Sequence, residues 1–289
     1  MIIFGYDATL MPANRHATLV AREPLDDAHF ILTFRHPETA NSAQAGQFVM
    51  IKAGLSVEPP LRRPFSILSK HPREDAFSLF IKAIGEGTRA LARLAVGDVA
   101  QCLGPLGRPF TLPASGTEAI MVAGGYGIAP FFLFSNELTA AGRAGRVFYG
   151  GRSARDLQLR ERFSSLVPLI PATEDGSVGQ RGRVIAPLED FLAKDAGPVR
   201  LYACGPDAML HAVARLAEAR GLDAEVSLDP WMGCGVGTCL GCVVFTQGTG
   251  EPRAKYRCAC TEGPVFDAAL VVWPGDQESW ARRRAEVEA

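Results

Sequence analysis

Residues 231–266 read WMGCGVGTCLGCVVFTQGTGEPRAKYRCACTEGPVF and hold five of the chain's seven cysteines. Cys234, Cys239 and Cys242 follow the order C-x4-C-x2-C, and Cys258 and Cys260 come after a polar segment that contains glycine. This is the ligand spacing of a plant-type [2Fe–2S] site, in which four thiolates hold two irons. Structural zinc sites usually have C-x2-C pairs at both ends, so the spacing favours an iron–sulfur cluster over zinc. Spacing alone leaves the fourth ligand open between Cys258 and Cys260.

The composition of the whole chain is that of a globular protein with several domains. It has 289 residues, 47% of them hydrophobic, and a formal net charge of −1. This length predicts two or three domains, and the charge balance gives no indication of nucleic-acid binding. The first residues lack the features of a secretory signal, and no apolar run approaches the ~18 residues of a membrane span. The clustered cysteines predict a metal centre in the reducing cytoplasm. The charge balance and the absence of a long apolar run predict no nucleic-acid or membrane partner.

Residues 1–113 are predicted to form a β-rich domain. From about residue 14, short apolar runs alternate with turn residues, and glycine and proline separate them. Six such runs without long intervening helices predict a small antiparallel barrel. The predicted strands are residues 16–22, 30–35, 48–53, 66–69, 76–83 and 99–103.

Two short motifs of this domain are typical of phosphate binding. Arg63-Pro64-Phe65-Ser66 opens a predicted strand, and its arginine and serine can pair with a phosphate. Gly85-Glu86-Gly87-Thr88 precedes a short helical stretch at residues 89–94. A glycine turn at a helix N-terminus presents backbone N–H groups to an anion. Each motif alone is also compatible with an ordinary strand start or helix cap.

Residues 114–227 are predicted to form a nucleotide-binding α/β domain. A continuous apolar run at residues 119–123 is followed by the sequence GGYGIAP at residues 124–130 and then by a helical stretch to residue 141. In this context of strand, turn and helix, the glycines let the backbone approach a pyrophosphate. Further apolar runs at residues 146–149, 166–170 and 199–203 predict a parallel sheet covered by helices on both faces.

The last of these runs ends in Cys204-Gly205-Pro206, at the carboxyl edge of the sheet, where ligands bind in such folds. Pro206 suits the first turn of a helix, and Gly221 suits its end. On its own, Cys204 is interpreted as a buried thiol at a strand end, the commonest state of a free cysteine. His211 lies one position off the apolar stripe of this helix and is interpreted as a boundary residue, not a ligand.

Five motifs in a fixed order resemble those of the ferredoxin-NADP reductase superfamily: RPFS, GEGT, GGYGIAP, CGPDAM and the C-terminal C-x4-C-x2-C…C. More closely, the chain resembles the electron transfer subunits of class 1B dihydroorotate dehydrogenases. The specific signals are MGCGVGTCLGCVV, CTEGPVFD and TEDGS at residues 173–177. The resemblance extends from about residue 14 to residue 275. It implies a six-stranded antiparallel FAD-binding β-barrel, a parallel-sheet α/β NAD-binding domain and a small [2Fe–2S] domain at residues 228–275. Residues 276–289 are predicted to form a solvated tail.

The resemblance also assigns roles to single residues. Cys204 would lie near the nicotinamide and is the predicted catalytic residue. Cys260 is the implied fourth cluster ligand because x-x-Gly-Pro-Val-Phe follows it, which leaves Cys258 without a family role. The predicted FAD-binding residues are Arg63, Pro64, Phe65, Ser66, Gly87 and Thr88. The predicted residues of the nicotinamide dinucleotide site are Gly125, Gly127, Pro130, Gly205 and Pro206. The predicted metal ligands are Cys234, Cys239, Cys242 and Cys260.

Three residues depart from the usual pattern of the superfamily. Phe65 stands where many members have tyrosine, so one hydroxyl contact to the flavin is missing. Tyr126 replaces a small residue in the glycine turn. Arg152 follows the second strand of the α/β domain and is either a solvated arginine or a contact for an adenosine 2′-phosphate, as in NADP sites. The family resemblance favours NAD, and Arg152 keeps NADP open.

The resemblance implies an oxidoreductase subunit of pyrimidine biosynthesis. A partner subunit would oxidise dihydroorotate at FMN, and electrons would pass through the [2Fe–2S] cluster and FAD to NAD⁺, in a heterotetramer with two copies of each chain. An FMN barrel needs ~250 residues, which the three predicted domains leave no room for. One alternative is the small flavin and iron–sulfur subunit of a ferredoxin:NADP oxidoreductase or sulfide dehydrogenase. These often have a non-cysteine first ligand, so Cys234 favours the dihydroorotate function. The other alternative is a non-catalytic flavoprotein-like module whose cysteines hold structural zinc.

Overall fold

A computed structural model of the chain describes residues 14–55, 60–163, 165–194, 197–248 and 251–273. The tail predicted at residues 276–289 lies outside the described residues. Within the described ranges, no helix combines the length and apolar character needed to cross a membrane.

The first unit is a closed barrel in which every neighbouring pair of strands is antiparallel, with the order β1-β2-β5-β4-β3-β6. This confirms the predicted six-stranded barrel. Along β3 the side chains alternate: Val49 and Ile51 join the core of the barrel, whereas Phe48 and Met50 join a second core shared with the rest of the chain. The strands are β1 (Asn14–Pro24), β2 (His29–Arg35), β3 (Phe48–Ala53), β4 (Arg63–His71), β5 (Ala76–Lys82) and β6 (Val99–Leu106).

Two short helices cover the barrel, α1 (Pro37–Ser42) and α2 (Glu86–Ala92). Helix α2 begins three residues before the predicted position. The hydroxyl of Thr88 accepts a hydrogen bond from the backbone N–H of Gly85 at 2.9 Å, and it donates to the carbonyl of Gly85 at 3.0 Å. This local capping closes the first turn of the helix at Gly85.

The second unit is a seven-stranded sheet with the order β10-β9-β8-β7-β11-β12-β15, parallel except at its last pair. This confirms the predicted parallel-sheet domain. Strand β9 begins three residues later than predicted, because the N–H groups of Leu166 and Val167 still bond to the carbonyl of Phe163 at the end of a helix. The strands are β7 (Glu118–Gly124), β8 (Gly145–Gly151), β9 (Leu169–Thr173), β10 (Gln180–Arg181), β11 (Val199–Cys204) and β12 (Ala224–Ser227), and the helices are α3 (Ala129–Ala140), α4 (Arg160–Phe163), α5 (Ile185–Leu192) and α6 (Asp207–Arg220).

The cysteine-rich segment adds a hairpin, a short helix and the last strand of the large sheet. Its elements are β13 (Val243–Gly248), β14 (Glu251–Cys258), α7 (Ala259–Glu262) and β15 (Val265–Asp267). Strand β15 pairs antiparallel with β12, so the cysteine-rich segment completes the edge of the nucleotide-binding sheet. The sequence does not predict this pairing.

An aromatic cluster joins the barrel to the sheet. The ring of Phe110, which follows β6, lies 5.4 Å from the ring of Phe131 on α3 and 5.7 Å from that of Tyr202 on β11. The hydroxyl of Tyr202 donates to the carbonyl of Thr111 at 2.7 Å, and the N–H of Thr111 donates to the buried carboxylate of Glu225 at 2.9 Å. Buried polar pairs and stacked rings of this kind fix the two units against each other.

Candidate functional site

The two phosphate-binding motifs of the barrel meet in space. Arg63 begins β4, and Gly87 lies in the first turn of α2. A Cβ atom at Gly87 would lie 3.2 Å from Nε and 3.3 Å from Cζ of Arg63, so the guanidinium crosses directly over the glycine. The arginine is held there because its Nη1 donates to the carbonyl of Leu61 at 2.8 Å. A guanidinium beside a helix N-terminus provides the donors that a phosphate needs.

The other predicted FAD-binding residues lie close to this pair. Pro64, Phe65 and Ser66 are half-buried on β4, and Phe65 packs against the barrel core. The hydroxyl of Thr88 is used within its own turn, where it accepts from the N–H groups of Ile84 and Gly85. Its side chain therefore shapes the turn.

The glycine turn after β7 packs tightly on the end of β11. Ala123 lies directly beside Cys204 in the sheet. A Cβ atom at Gly127 would lie 2.2 Å from the carbonyl oxygen of Cys204, and one at Gly124 would lie 2.6 Å from Cδ of Pro206. No side chain fits at Gly127 without displacing backbone. The two predicted nucleotide motifs, GGYGIAP and CGPDAM, thus form one surface at the carboxyl edge of the sheet.

A cavity of about 600 Å³ opens along this edge. Of the predicted nucleotide-binding residues, Gly125 and Pro206 line it, together with Tyr126. The other predicted residues, Gly127, Pro130, Cys204 and Gly205, do not line the cavity. Gly127 packs on Cys204, and Gly205 packs on Gly124 of the cavity wall. A cavity of this size, at the carboxyl ends of parallel strands, suits a dinucleotide.

Two residues of the cavity come from the barrel and escape sequence analysis. His29 and Lys82, at neighbouring positions of β2 and β5, line the cavity opposite the sheet. The ring of His29 stacks on Phe80 at 5.7 Å, and its Nδ1 lies 2.8 Å from a carboxylate oxygen of Asp26. No motif marks these residues, because only the packing of the barrel against the sheet brings them to the cavity.

The charged groups of the cavity wall include cations and carboxylates. Arg152 and Arg183 contribute positive charge, and Glu174 contributes a carboxylate. Glu174 is held beside Arg152, since its N–H donates to the carbonyl of Gly151 at 3.1 Å and the N–H of Asp175 donates to the carbonyl of Arg152 at 3.1 Å. Acidic residues at such positions accept from a ribose 2′-hydroxyl, whereas arginines bind a 2′-phosphate.

Cys204 is a buried thiol at the end of β11. Burial, and then the neighbouring carboxylate of Asp229, raise the pKa of Cys204 to about 12. The thiol is therefore protonated and uncharged at neutral pH, and it does not resemble an activated nucleophile. Cys204 does not line the cavity, so the structure gives no support to its predicted catalytic role beside the nicotinamide.

The cysteines of residues 234–260, here called the cysteine cage, lie on loops in which backbone N–H groups point at sulfur. Val236 and Cys239 donate to Sγ of Cys234 at 3.4 and 3.5 Å, and Gly237 donates to Sγ of Cys260 at 3.2 Å. Burial acts to raise the pKa of Cys234, but hydrogen bonds from Thr238, Val236 and Cys239 lower it to about 6. Burial raises the pKa of Cys260 to about 12, against the N–H of Gly237. N–H groups directed at sulfur fit an iron–sulfur cluster, whose potential depends on such bonds.

The four predicted ligands differ in exposure. Cys242 and Cys260 are buried, Cys234 is half-buried and Cys239 is exposed. Among the described residues, no group of three histidine, cysteine, aspartate or glutamate side chains is gathered as one metal ion requires.

Cys258 occupies a different place from Cys260. Its backbone N–H donates to the carboxylate of Glu262 at 3.0 Å, and its Sγ lies 3.9 Å from the carbonyl oxygen of Gly237. Gly237 therefore donates its N–H to the sulfur of Cys260 and presents its carbonyl oxygen to the sulfur of Cys258. A carbonyl oxygen stabilises a protonated thiol rather than a thiolate, so the geometry favours Cys260 as the fourth ligand.

Three family models match consecutive parts of the chain. The oxidoreductase FAD-binding domain matches residues 16–110, and the oxidoreductase NAD-binding domain matches residues 121–215. The iron–sulfur cluster binding domain of dihydroorotate dehydrogenase B matches residues 229–272. The predicted cofactors, FAD, NAD and an iron–sulfur cluster, are thereby confirmed.

Curated relatives extend over most of the chain. The dihydroorotate dehydrogenase B (NAD(+)) electron transfer subunit of Desulforamulus reducens is 35% identical over 84% of this chain and 92% of its own length. The corresponding subunit of Bacillus caldolyticus is 33% identical over 91% of this chain and 100% of its own length.

Solved structures show the same fold. An NADH-dependent reduced ferredoxin-NADP oxidoreductase structure, described in connection with flavin-based electron bifurcation, has a TM-score of 0.78 at 26% identity, covering 96% of this chain and 98% of the other. A ferredoxin NADP+ reductase from Neisseria gonorrhoeae has a TM-score of 0.61 at 19% identity, covering 72% and 91%. With three cofactor-binding units in one order and curated relatives that match them from end to end, the chain belongs to the family of dihydroorotate dehydrogenase B (NAD(+)) electron transfer subunits.

Proposed function

We propose that this chain acts in the cytoplasm and carries electrons from a partner subunit to NAD⁺. The partner subunit contains FMN and oxidises dihydroorotate. The route runs from the partner to the iron–sulfur cluster, then to FAD, and ends at NAD⁺. The observation that carries the proposal is the cysteine cage, with Cys239 at the surface and with Gly235 of its first ligand loop on the barrel. The proposed assembly is a heterotetramer with two copies of each chain.

The residues of this chain bind and orient its cofactors, which themselves supply hydride and single-electron chemistry. Arg63 and the turn at Gly87 would hold the FAD phosphates. Gly125 and Pro206 would face the nicotinamide dinucleotide, and Gly127 keeps that surface flat. Cys234, Cys239, Cys242 and Cys260 would hold the irons.

An exposed apolar patch beside the cage suits the partner subunit. Trp231 is 93% exposed and Leu240 is 63% exposed. The backbone next to Leu240 approaches that of Trp231, because a Cβ atom at Gly241 would be 3.8 Å from the carbonyl oxygen of Trp231. Exposed tryptophan of this kind is typical of the centre of protein interfaces, and Cys239 lies in the same loop. We therefore propose that this patch contacts the subunit that delivers electrons.

Replacing Trp231 by alanine is expected to weaken the complex of the two subunits by about 2 kcal/mol, roughly thirtyfold in Kd, as for an interface tryptophan. The measurement is a titration of the purified partner by calorimetry or light scattering. Iron and flavin content should not change. The matched control is Val96→Ala. Val96 is 65% exposed and lies just before the first residue of β6, at the end opposite Leu106. Equal affinity of the Trp231 variant and the wild type would place the interface elsewhere.

Replacing Glu174 by glutamine is expected to shift the preference from NADH towards NADPH by about tenfold. The carboxylate would accept from the 2′-hydroxyl of NADH, and it would repel a 2′-phosphate by about 1 kcal/mol. The measurement is the Kd of each nucleotide by fluorescence titration. Glu189→Gln, at an exposed position on α5, is the control. An unchanged ratio of the two Kd values would show that Glu174 does not contact the ribose.

The function as a whole is tested on the native complex, purified anaerobically through a tag on this chain. Addition of dihydroorotate and NAD⁺ is expected to produce NADH. Iron and acid-labile sulfide in a brown-yellow protein would exclude the zinc-stabilised module, whereas a colourless, zinc-containing protein would support it.

A second candidate function is that of a small subunit in a ferredoxin-linked NAD(P) oxidoreductase. The similarity to the NADH-dependent reduced ferredoxin-NADP oxidoreductase structure, over almost the whole of both chains, favours it. Absence of NADH formation from dihydroorotate, with flavin, cluster and a large co-purifying subunit all present, would select this candidate.

A further inference from the structure

The ligand loops of the cysteine cage rest on the barrel at two places. A Cβ atom at Gly235 would lie 2.6 Å from Cγ of Met50 and 3.1 Å from Cδ1 of Leu106. A Cβ atom at Gly107, just after β6, would lie 2.6 Å from Cδ of Pro264. Gly235 follows the ligand Cys234, and Pro264 comes four residues after Cys260. Both halves of the cage are therefore seated on the ends of β3 and β6.

Met50 connects this contact to the flavin side of the barrel. It is fully buried on β3, and its direct cross-strand neighbour on β4 is Pro64 of the RPFS motif. Directly paired residues in an antiparallel sheet project from the same face, about 5 Å apart. Met50 thus lies between the first cysteine loop and the strand that begins with Arg63.

The backbone of the loop is shaped for this close approach. Gly235 has φ of +79°, in the left-handed region that favours glycine. Gly235 lies so close to the barrel that a side chain at this position would collide with Met50 or Leu106. The absence of a side chain is needed both for the turn and for the contact with the barrel.

We infer that Met50 and Gly235 are positioning residues that fix the separation between the cluster and the flavin strand. The inference rests on the proposed function, since it concerns the step between these two cofactors. A methyl group at Gly235 pushes the first ligand loop away from β3. Removal of the Met50 side chain leaves the loop without its support. Either change alters the distance between the first ligand loop and β4, while all four cysteines and Arg63 remain present in the chain.

The test uses the variants Gly235→Ala, Met50→Ala, Met50→Leu and the double variant Gly235→Ala/Met50→Ala in the full chain loaded with FAD and cluster. The rate at which NADH bleaches the cluster is measured anaerobically by stopped flow. The magnetic interaction between the reduced cofactors is measured by electron paramagnetic resonance. Gly235→Ala and Met50→Ala are expected to slow cluster reduction severalfold, because the rate of electron transfer falls steeply as the distance between two cofactors grows. The magnetic interaction should weaken in both.

The double variant and the conservative variant separate positioning from general damage. Met50→Leu keeps most of the side-chain volume and should retain the wild-type rate. In the double variant the added methyl occupies space that Met50 vacates, so the rate should recover towards the wild type. The unfolding midpoint of the iron-free chain should show the same compensation, independently of electron transfer.

The outcomes distinguish this inference from the proposed function. If NADH does not reduce the cluster in the wild type, the proposed function is wrong. If the wild type works and Gly235→Ala matches it with full iron and flavin, the positioning role is overturned. Simple addition of the two losses in the double variant, in both rate and unfolding midpoint, would also overturn it.

Discussion

Replacing Cys260 by serine is expected to remove the iron–sulfur cluster and to leave FAD bound. Cys260 is 1% exposed, and its sulfur accepts the N–H of Gly237 inside the cage. A serine hydroxyl remains protonated at neutral pH and replaces a thiolate ligand poorly. The FAD contacts proposed at Arg63 and Gly87 lie on the barrel and do not involve the cage. Iron and acid-labile sulfide assays, with the visible spectrum, measure both cofactors.

The matched control is Cys258→Ser, two residues earlier in the same segment. Its sulfur faces the carbonyl of Gly237, and a serine hydroxyl can donate to that oxygen as well as a thiol does. This variant is expected to keep both cofactors at wild-type levels. Loss of iron from Cys258→Ser and its retention in Cys260→Ser would show that the fourth ligand has been assigned to the wrong cysteine.

Replacing Gly127 by alanine is expected to lower the free energy of unfolding by about 3 kcal/mol, the upper end of the usual cost of overpacking. The added Cβ would lie 2.2 Å from the carbonyl oxygen of Cys204, which is backbone and cannot rotate away. Relief requires the glycine turn and β11 to separate, which deforms the nucleotide surface. We therefore also expect nucleotide binding to fall by at least about tenfold, as for other small misplacements. Denaturant unfolding and an NADH titration measure the two effects.

Gly125→Ala is the matched control for this prediction. Gly125 has φ of +53°, and a Cβ atom there would meet nothing within 4 Å. It therefore carries only the strain of the left-handed conformation, about 1 kcal/mol. If the two alanine variants unfold at the same denaturant concentration, the packing of Gly127 against Cys204 is not the source of the loss.

The barrel and the strands of the sheet could be predicted because their signals are local. The run at residues 48–53 coincides with β3, since a short, largely apolar run between flanking glycines fixes both ends. Errors occurred where local hydrogen bonds compete with apolar patterning. Leu166 and Val167 are apolar, so the sequence pattern assigns them to the strand at residues 166–170. In the structure their N–H groups instead close the turn after Phe163.

The features that depend on distant parts of the chain could not be predicted. His29 and Lys82 reach the nucleotide cavity only because the barrel docks on the sheet. The three-residue strand β15 is too short to carry a periodic signal, and its partner is chosen by packing. The cysteine spacing, by contrast, did predict the cluster, because the chemistry of ligation sets the spacing itself. Choosing between Cys258 and Cys260 required the family resemblance, and the orientation of Gly237 now supports that choice.

The edge strand β15 ties the cover of the large sheet to the cysteine-rich segment. It begins five residues after Cys260 and covers the backbone of β12, whose Ser227 and Val226 pair with Val265 and Phe266. An uncovered sheet edge can pair with other chains and aggregate. A change that released the cysteine-rich segment from β12 would therefore expose such an edge and make the chain more prone to aggregation.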